Sequence, residues 1–233
     1  MRPKLYLIHL KNRPILGQLQ IEEALLRTED RNFLLINEGS SKAIVMGISG
    51  TPENLINIKS AAEEKIPIIK RFSGGGTVIV DESTLFISFI MNKNALNVTP
   101  YPEPILKWSS ELYKSAWNIP EFELKENDYC IGEKKCGGNA QYIKKDRWVH
   151  HTSFLWDYSE KNMSHLLLPS KRPKYREDRD HKDFLIRMNK FGSAQEYIEK
   201  LKNYLKENVF DLNEFDLTHF EPSPHRMATE IIN

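Results

Sequence analysis

The chain has 233 residues, enough for one large domain or a domain with an appendage, and long enough to bury a substantial core. Its formal net charge of +1 gives no overall pull towards nucleic acid or an anionic membrane, and no apolar run approaches the length of a bilayer span. Two cysteines, Cys130 and Cys136, make no disulfide framework, so we expect one domain over 1–233 in a reducing, cytoplasmic setting.

In chain order, the basic and apolar start, broken by His9, reads as a first strand rather than a signal peptide. Leu16, Leu19, Ile21, Ala24, Leu25 and Leu26 form a helical stripe. Phe33 to Ile36 and Ala43 to Ile48 have strand length, separated by turn-prone residues. Thr51-Pro52 predicts a helix start, with the helix running to about Glu64. A strand at 66–69, a glycine loop and a strand at 78–80 follow. Leu85 to Met91 is almost continuously apolar and predicts a strand in the sheet centre, covered on both faces. Tyr101 to Trp117 carries the longest helical pattern. Strands are expected at 122–124, 129–133, 140–143 and 148–156, with a hairpin turn at 144–147. Ser170 to Asp183 is dense in charge and reads as a solvated, mobile connection; His181 and Asp183 within it are assigned no catalytic work. Residues 183–188 look helical. Ser193 to Glu196 is a capping box ahead of a last amphipathic helix. The tail over 208–233 has no period and is left unassigned.

Two stretches stand apart. Arg71-Phe72-Ser73-Gly74-Gly75-Gly76 sits between apolar runs. Such glycines mark either a tight turn between strands or a close approach of backbone to a ligand, with successive N–H groups forming an anion site and Arg71 supplying a forked cation. It is neither a Walker loop nor a dinucleotide fingerprint. The second stretch, Asn127 to Ala140, puts Lys134-Lys135 beside Gly137-Gly138. A lysine fixed on a strand before a glycine gap can hold developing charge on a phosphate or carbonyl oxygen, though a solvated lysine is the commoner case. His150-His151 follows; adjacent strand residues diverge, so only one can face a site, and the pair is a poor metal site. Either cysteine is a small buried filler or a thiol nucleophile. Composition and spacing thus give an α/β protein with two glycine turns, each beside a cation, and an anionic acyl-phosphate or nucleotide ligand.

These residues resemble a known family. Arg71-x-Ser73-Gly74-Gly75-Gly76-x-Val78-x-x-Asp81 is similar to the signature loop of lipoate–protein ligases. Gly132-x-Lys134-Lys135-x-x-Gly138-x-Ala140-Gln141 resembles their catalytic-lysine stretch, His150-His151 their paired histidines, and Asn127-Asp128 their Asn-Asp pair. The resemblance runs from about Leu19 to Met188 and includes the opening helix around Glu22 to Leu26.

It implies the catalytic-module fold of biotin and lipoate ligases, an α/β (α+β) arrangement with a mixed sheet flanked by helices, distantly like class II aminoacyl-tRNA synthetases. It also implies two steps: lipoate and Mg²⁺–ATP give lipoyl-AMP, and an acceptor lysine then takes the acyl group. In that scheme Lys135 is catalytic. Arg71, Ser73, Gly74, Gly75, Gly76, Asn127, Asp128, Gly138, Ala140 and His151 bind the lipoyl-AMP, and apolar walls come from Leu85 to Met91. No protein metal site is implied beyond a role for Asp128 with Mg²⁺. The implied partners are lipoyl domains of 2-oxo-acid dehydrogenase acyltransferases and the glycine-cleavage H protein, with neither nucleic acid nor membrane.

The chain departs from the pattern at Lys70, where the family often has a second Arg, at Val80, where it commonly has His, and at Gly47-Ile48-Ser49-Gly50, where Gly-Arg-x-Gln is frequent. Residues after Met188 are too few for a full accessory domain, so a separate accessory protein is one expectation. The alternatives are an octanoyl or lipoyl transferase with Cys136 as its thiol, a biotin ligase lacking its Gly-Arg-Gly-Arg loop, and a non-catalytic module binding lipoyl domains or acyl-adenylate.

Overall fold

The computed structural model describes residues 2–168 and 172–232. Ser170 and Lys171 of the charged stretch, Met1 and Asn233 lie outside the described residues.

Among the described residues two sheets share the work. The larger has eight strands: β1 (Lys4–Lys11), β2 (Phe33–Glu38), β6 (Thr84–Asn92), β7 (Phe122–Lys125), β8 (Asp128–Ile131), β9 (Lys134–Ile143), β10 (Arg147–Leu155) and β11 (Asp211–Glu214), in the order β11-β1-β2-β6-β10-β9-β8-β7. Only β11, β1 and β2 run parallel to one another; the rest are antiparallel, so the sheet is mixed. The smaller sheet holds β3 (Ala43–Met46), β4 (Ile68–Lys70), β5 (Val78–Val80) and β12 (Glu230–Ile231), in the order β12-β4-β3-β5. The apolar run at 43–48 therefore ends as strand at Met46, and the two runs flanking the glycines belong to a separate sheet.

Helices cover both faces. On one face, α4 (Pro102–Trp117) and α7 (Ala194–Asn208) bury Ile105, Leu112, Tyr113, Trp117, Ile198 and Leu201 against Leu85, Ile87, Phe89 and Met91 of β6. Each large side chain taken fully from water there contributes about 1.5–3 kcal/mol. Asn118 ends α4 in the left-handed region at φ 49°, and the Ser193 hydroxyl accepts from the Glu196 amide at the start of α7, as the capping box requires. On the opposite face lies α1 (Ile15–Thr28), which sends Leu25 and Leu26 onto Phe33, Leu35, Ile90 and Val149, while Ile15 and Leu19 meet Val45, Val80 and Phe86. The alternation of β6 thus gives only Phe86, Ser88 and Ile90 to the α1 side, a correction to the whole run Leu85–Met91 serving as ligand wall.

The expected helix over 51–64 is two pieces, α2 (Pro52–Leu55) and α3 (Ile58–Glu63). The helical stretch expected at 183–188 is instead α6 (His181–Phe184), followed by a 3-10 turn at Met188–Lys190. The charged segment does not trail in solvent. Phe184 and Leu185 are buried with Met163 of α5 (Glu160–Met163), and Tyr175 packs beside them. Tyr175 inside the charged stretch, with Phe184 and Leu185 just after it, supplies this anchoring, while most of the charged side chains between them stay exposed or half-buried.

Candidate active site

Strand β9 organises the site. Its Lys135 ammonium makes an ion pair with the Asp128 Oδ1 at 2.7 Å, and the side chain keeps 23% of its surface exposed. Between β8 and β9 the register shifts by a bulge, with Tyr129 opposite Gly137 but Cys130 opposite Lys135. The extra residue swings Lys135 onto the face of Gly138, where an added Cβ would lie 3.3 Å from the ammonium. Asp128 is buried, and its other oxygen accepts from the Tyr175 hydroxyl at 2.9 Å. Burial and the neighbouring Asp128 charge push the Tyr175 phenol well up, so it remains a donor. The segment expected to be solvated thus reaches the carboxylate that pairs with the lysine. Asn127 is exposed in the turn before β8, its carbonyl accepting from the Asn139 side chain.

The glycine loop meets the same strand two residues on. The Gly74 amide donates to the Gln141 carbonyl, and a Cβ on Gly75 would lie 3.1 Å from the Asn139 carbonyl oxygen and 3.5 Å from the Ala140 Cα. Gly75 has φ +106°, which suits glycine. Ser73 is buried, its carbonyl accepting from the Ile48 amide. Among the described residues the amides of Ser73, Gly75 and Gly76 have no partner, and Gly75 and Gly76 are exposed. Three free donors in one bend make an anion cradle.

Arg71 does not stand open as a fork. Its guanidinium donates to the Gly74 carbonyl at 2.8 and 3.3 Å, to Gly76 at 2.8 Å and to Val45 at 3.4 Å, and the residue is 4% exposed. The expectation of a cation free to bind an anion is corrected: the fork curls the loop and turns its carbonyls away from the cradle. Burial lowers its pKa to about 10, with nearby Glu22 opposing the fall, so it keeps its charge at neutral pH.

His151 stands opposite Ala140 on β10, so the two share a face. Its Nδ1 lies 2.9 Å from the Glu22 carboxylate, which can only accept, and this assigns the ring proton to Nδ1. Glu22 is wholly buried and also accepts from Gln18 and Ser88. Burial raises its pKa, but the charge and hydrogen bond of His151, with Gln18 and Ser88, outweigh that and leave it below the ordinary value. His150 points to the α4 side. Its Nδ1 faces the Gln141 amide at 3.0 Å and its Nε2 the Tyr129 hydroxyl at 2.8 Å.

One face of β9 and β10 therefore carries the Lys135 ammonium, Gly138, Ala140 and His151 in sequence, with the loop amides alongside. Apolar Leu16, Leu19, Val45, Val78, Val80 and Phe86 pack next to it. Two surface hollows of about 380 and 390 Å³ lie elsewhere, lined by groups including Asn32, Lys93 and Asp146 and by groups including Lys114, Glu121 and Gly132. Neither cysteine is placed to act as a nucleophile. Cys136 is wholly buried in the core, its thiol donating to the Tyr129 carbonyl, and burial pushes its pKa well up; burial also raises Cys130 to about 11. The role offered to Cys136 is thereby corrected. Sequence reasoning missed Glu22, Tyr175 and Thr77, whose hydroxyl is buried beside the loop with no partner among the described residues. Only the Glu22-Glu23 pair inside an apolar helical stripe offered a signal.

Residues 14–209 match the family described as "Lipoyl protein ligase A/B catalytic domain". A relative named inactive lipoate–protein ligase 2, from Plasmodium falciparum, is 29% identical over an alignment covering 91% of this chain and 73% of its own length. A Bacillus subtilis relative named lipoate-protein ligase LplJ is 25% identical over 84% of this chain, which spans 59% of that protein. Among solved structures, a lipoate-protein ligase A bound with ATP superposes with a TM-score of 0.73 at 18% identity, covering 93% of this chain and 90% of the other.

Proposed function

The chain belongs to the lipoyl protein ligase A/B catalytic-domain family, and from that premise we propose that it activates lipoate with Mg²⁺–ATP and passes the lipoyl group to a lysine on an acceptor lipoyl domain. The observation that carries this reading is the Lys135 ammonium lying beside Gly138 while the glycine loop, with its unpartnered amides, packs against the next residues of the same strand, Asn139 to Gln141. A carboxylate and a triphosphate repel each other, and their meeting needs fixed positive charge and donors in a site poor in water. Lys135 bridges the carboxylate oxygen and the α-phosphate as negative charge builds on the latter. The lipoate oxygen bonds to the α-phosphorus, the bond to the β-phosphate oxygen breaks, and pyrophosphate leaves. The acceptor amine then attacks the acyl carbon, AMP departs with the carboxyl oxygen, and the amine's proton goes to solvent.

Each neighbour has a part. Asp128 holds Lys135 extended over Gly138 until the anions arrive. Arg71 keeps the loop curled so that amides, not carbonyls, face the ligand. Asn127 lies at the adenylate end, and His151, its Nδ1 tied to Glu22, lines the acyl slot with Phe86 and Val78. The two Asp128 oxygens are bonded to Lys135 and Tyr175, and among the described residues no group of three His, Cys, Asp or Glu could hold a metal. With both Asp128 oxygens engaged, we assign Mg²⁺ to the nucleotide's phosphates. We place the protein in the cytoplasm, acting on acyltransferase lipoyl domains and the H protein, with an accessory protein as a further partner.

The similarity to a protein named inactive favours a second reading, a module that binds lipoyl domains or acyl-adenylate without ligating them. Intact mass of a lipoyl domain after incubation with the protein, lipoate and Mg²⁺–ATP decides. A lipoyl mass gain that disappears in Lys135→Ala is expected, with a fall of at least about 10²-fold in adenylate formation. No gain with any donor, together with retained binding, would establish the module instead.

A further inference from the structure

The tail lies beyond the residues matched to the family, yet it is built into the site's frame. Glu23 of α1 is wholly buried beside Glu22. Its carboxylate accepts from the Ala228 amide at 2.9 Å, the Thr229 amide at 3.0 Å and the Thr229 hydroxyl at 2.9 Å, and Arg27 balances its charge at 2.7 Å. The Thr229 hydroxyl in turn accepts from the amide of Phe72, the second residue of the glycine loop, at 3.3 Å. Immediately afterwards β12 pairs with β4, Glu230 opposite Lys70 and Ile231 opposite Ile69, and the Ile232 amide reaches the Ile68 carbonyl at 3.0 Å. Strand β4 runs directly into Arg71.

We propose that residues 228–232 are a brace for the ligand loop, and that Thr229 is a positioning residue acting through the Phe72 amide. Among the described residues the loop's backbone is otherwise held by the Arg71 amide to the Met46 carbonyl and by the Ser73 and Gly74 contacts, while the Arg71 guanidinium curls it from within by bonds to Gly74 and Gly76; none of these fixes the Phe72 amide. A three-residue β4 has little pairing of its own, and the two-residue β12 supplies its second edge. The Thr229 hydroxyl has one proton, which goes to the buried carboxylate, leaving its lone pair for Phe72. This chain of bonds links a buried anion on α1 to the backbone of the loop. Phe72 is also clamped by its ring, buried among Leu25, Ile90 and Val149 and 5.7 Å from Tyr142, so a small shift of its backbone is transmitted into Ser73 and Gly74 instead of being absorbed.

The kinetic part of the test rests on the proposed ligase activity; the structural part does not. Thr229→Val keeps the shape and removes the hydroxyl, while Thr229→Ser restores it. In hydrogen exchange of the unliganded full chain, the segment 71–76 of Thr229→Val exchanges faster than the parent and Thr229→Ser returns to it. In adenylate formation, Thr229→Val raises KM for the acyl acid roughly five-fold, the worth of one hydrogen bond, with kcat unchanged, and Thr229→Ser reverses this. If Thr229→Val does not fold, Ile232→Pro loosens the brace from its far end without touching Glu23 or the loop, and the same faster exchange at 71–76 is expected. Unchanged exchange at 71–76 in a folded Thr229→Val or Ile232→Pro protein overturns the brace, whatever the turnover. Altered exchange with no turnover in the parent would instead remove the ligase reading and leave the brace standing.

Discussion

His150 should make this protein sensitive to mild acid. The ring is wholly buried between the sheet and α4. Its bonds form one directed chain: the Gln141 amide donates to Nδ1, Nε2–H to the Tyr129 hydroxyl, Tyr129 to the Ser109 hydroxyl at 2.6 Å, and Ser109 to the Leu106 carbonyl at 3.0 Å. Every link fits the neutral imidazole, and a second ring proton would face the Gln141 amide. Burial, with the charge of His151 adding to it, brings the pKa down from 6.5 to about 3. The unfolded chain therefore binds more protons between these limits. The stability this creates is complete above about pH 6.5 and is lost as pH falls towards 3. For one site the loss from pH 7 to pH 5 works out at about 2 kcal/mol. Glu22 adds to acid sensitivity only below about pH 4.5, while His181, also lowered by burial and by Arg176, acts in the same direction and serves as a control. Urea unfolding at pH 7, 6 and 5 checks this, with the slope compared between the parent, His150→Gln and His181→Gln. The parent should lose about 2 kcal/mol more than His150→Gln over that range. Equal slopes, or an imidazole resonance of His150 titrating near pH 6.5 in the folded protein, would refute the reasoning.

Two further outcomes are expected. Gly47→Ala would put a Cβ 2.4 Å from the Gly75 carbonyl oxygen, a backbone clash that no rotamer relieves; we expect a loss of about 1–3 kcal/mol in thermal unfolding and a weaker grip on the acyl acid in ATP–pyrophosphate exchange. Native protein treated with iodoacetamide at pH 8 should gain no mass at Cys130 or Cys136, and Cys136→Ala should keep its activity. Rapid alkylation at Cys136 with loss of turnover would restore the thiol mechanism.

Long periodic elements were legible because packing enforces their period. The run at 85–91 lies in the sheet interior between β2 and β10, and the pattern at 101–117 is α4. The separate sheet was not legible, since β4 and β5 have three residues each and carry no alternation. Lys135, Asp128 and the glycine loop were visible because they lie in compact motifs. Their supports were invisible for the opposite reason: Glu22 meets His151, Tyr175 meets Asp128, and Thr229 meets Phe72, each across a long stretch of chain with nothing local to mark it. Arg71 shows the limit of motif reading most clearly. The motif names the residue, but only the fold reveals that its fork grips the loop's own carbonyls.

The departures from the family pattern fall unevenly on the two halves of the chemistry. Lys70 sits in β4 with strands on both sides, and Gly47 has no side chain because the Gly75 carbonyl takes that space. Val80 is buried with Leu19, Val45 and Phe86, so exchanging a polar residue for Val there widens the apolar wall next to His151. None of these changes falls on a group to which the proposed chemistry assigns phosphate charge: Lys135, Asp128 and the free loop amides are all in place. A chain of this kind that bound without ligating would therefore fail at the fit of the acyl chain or at docking of the acceptor, not at the phosphorus. Activation of a panel of straight-chain acids should then separate the two halves, because an intact charge site gives pyrophosphate with whichever acid fills the slot, and a dismantled one gives none with any.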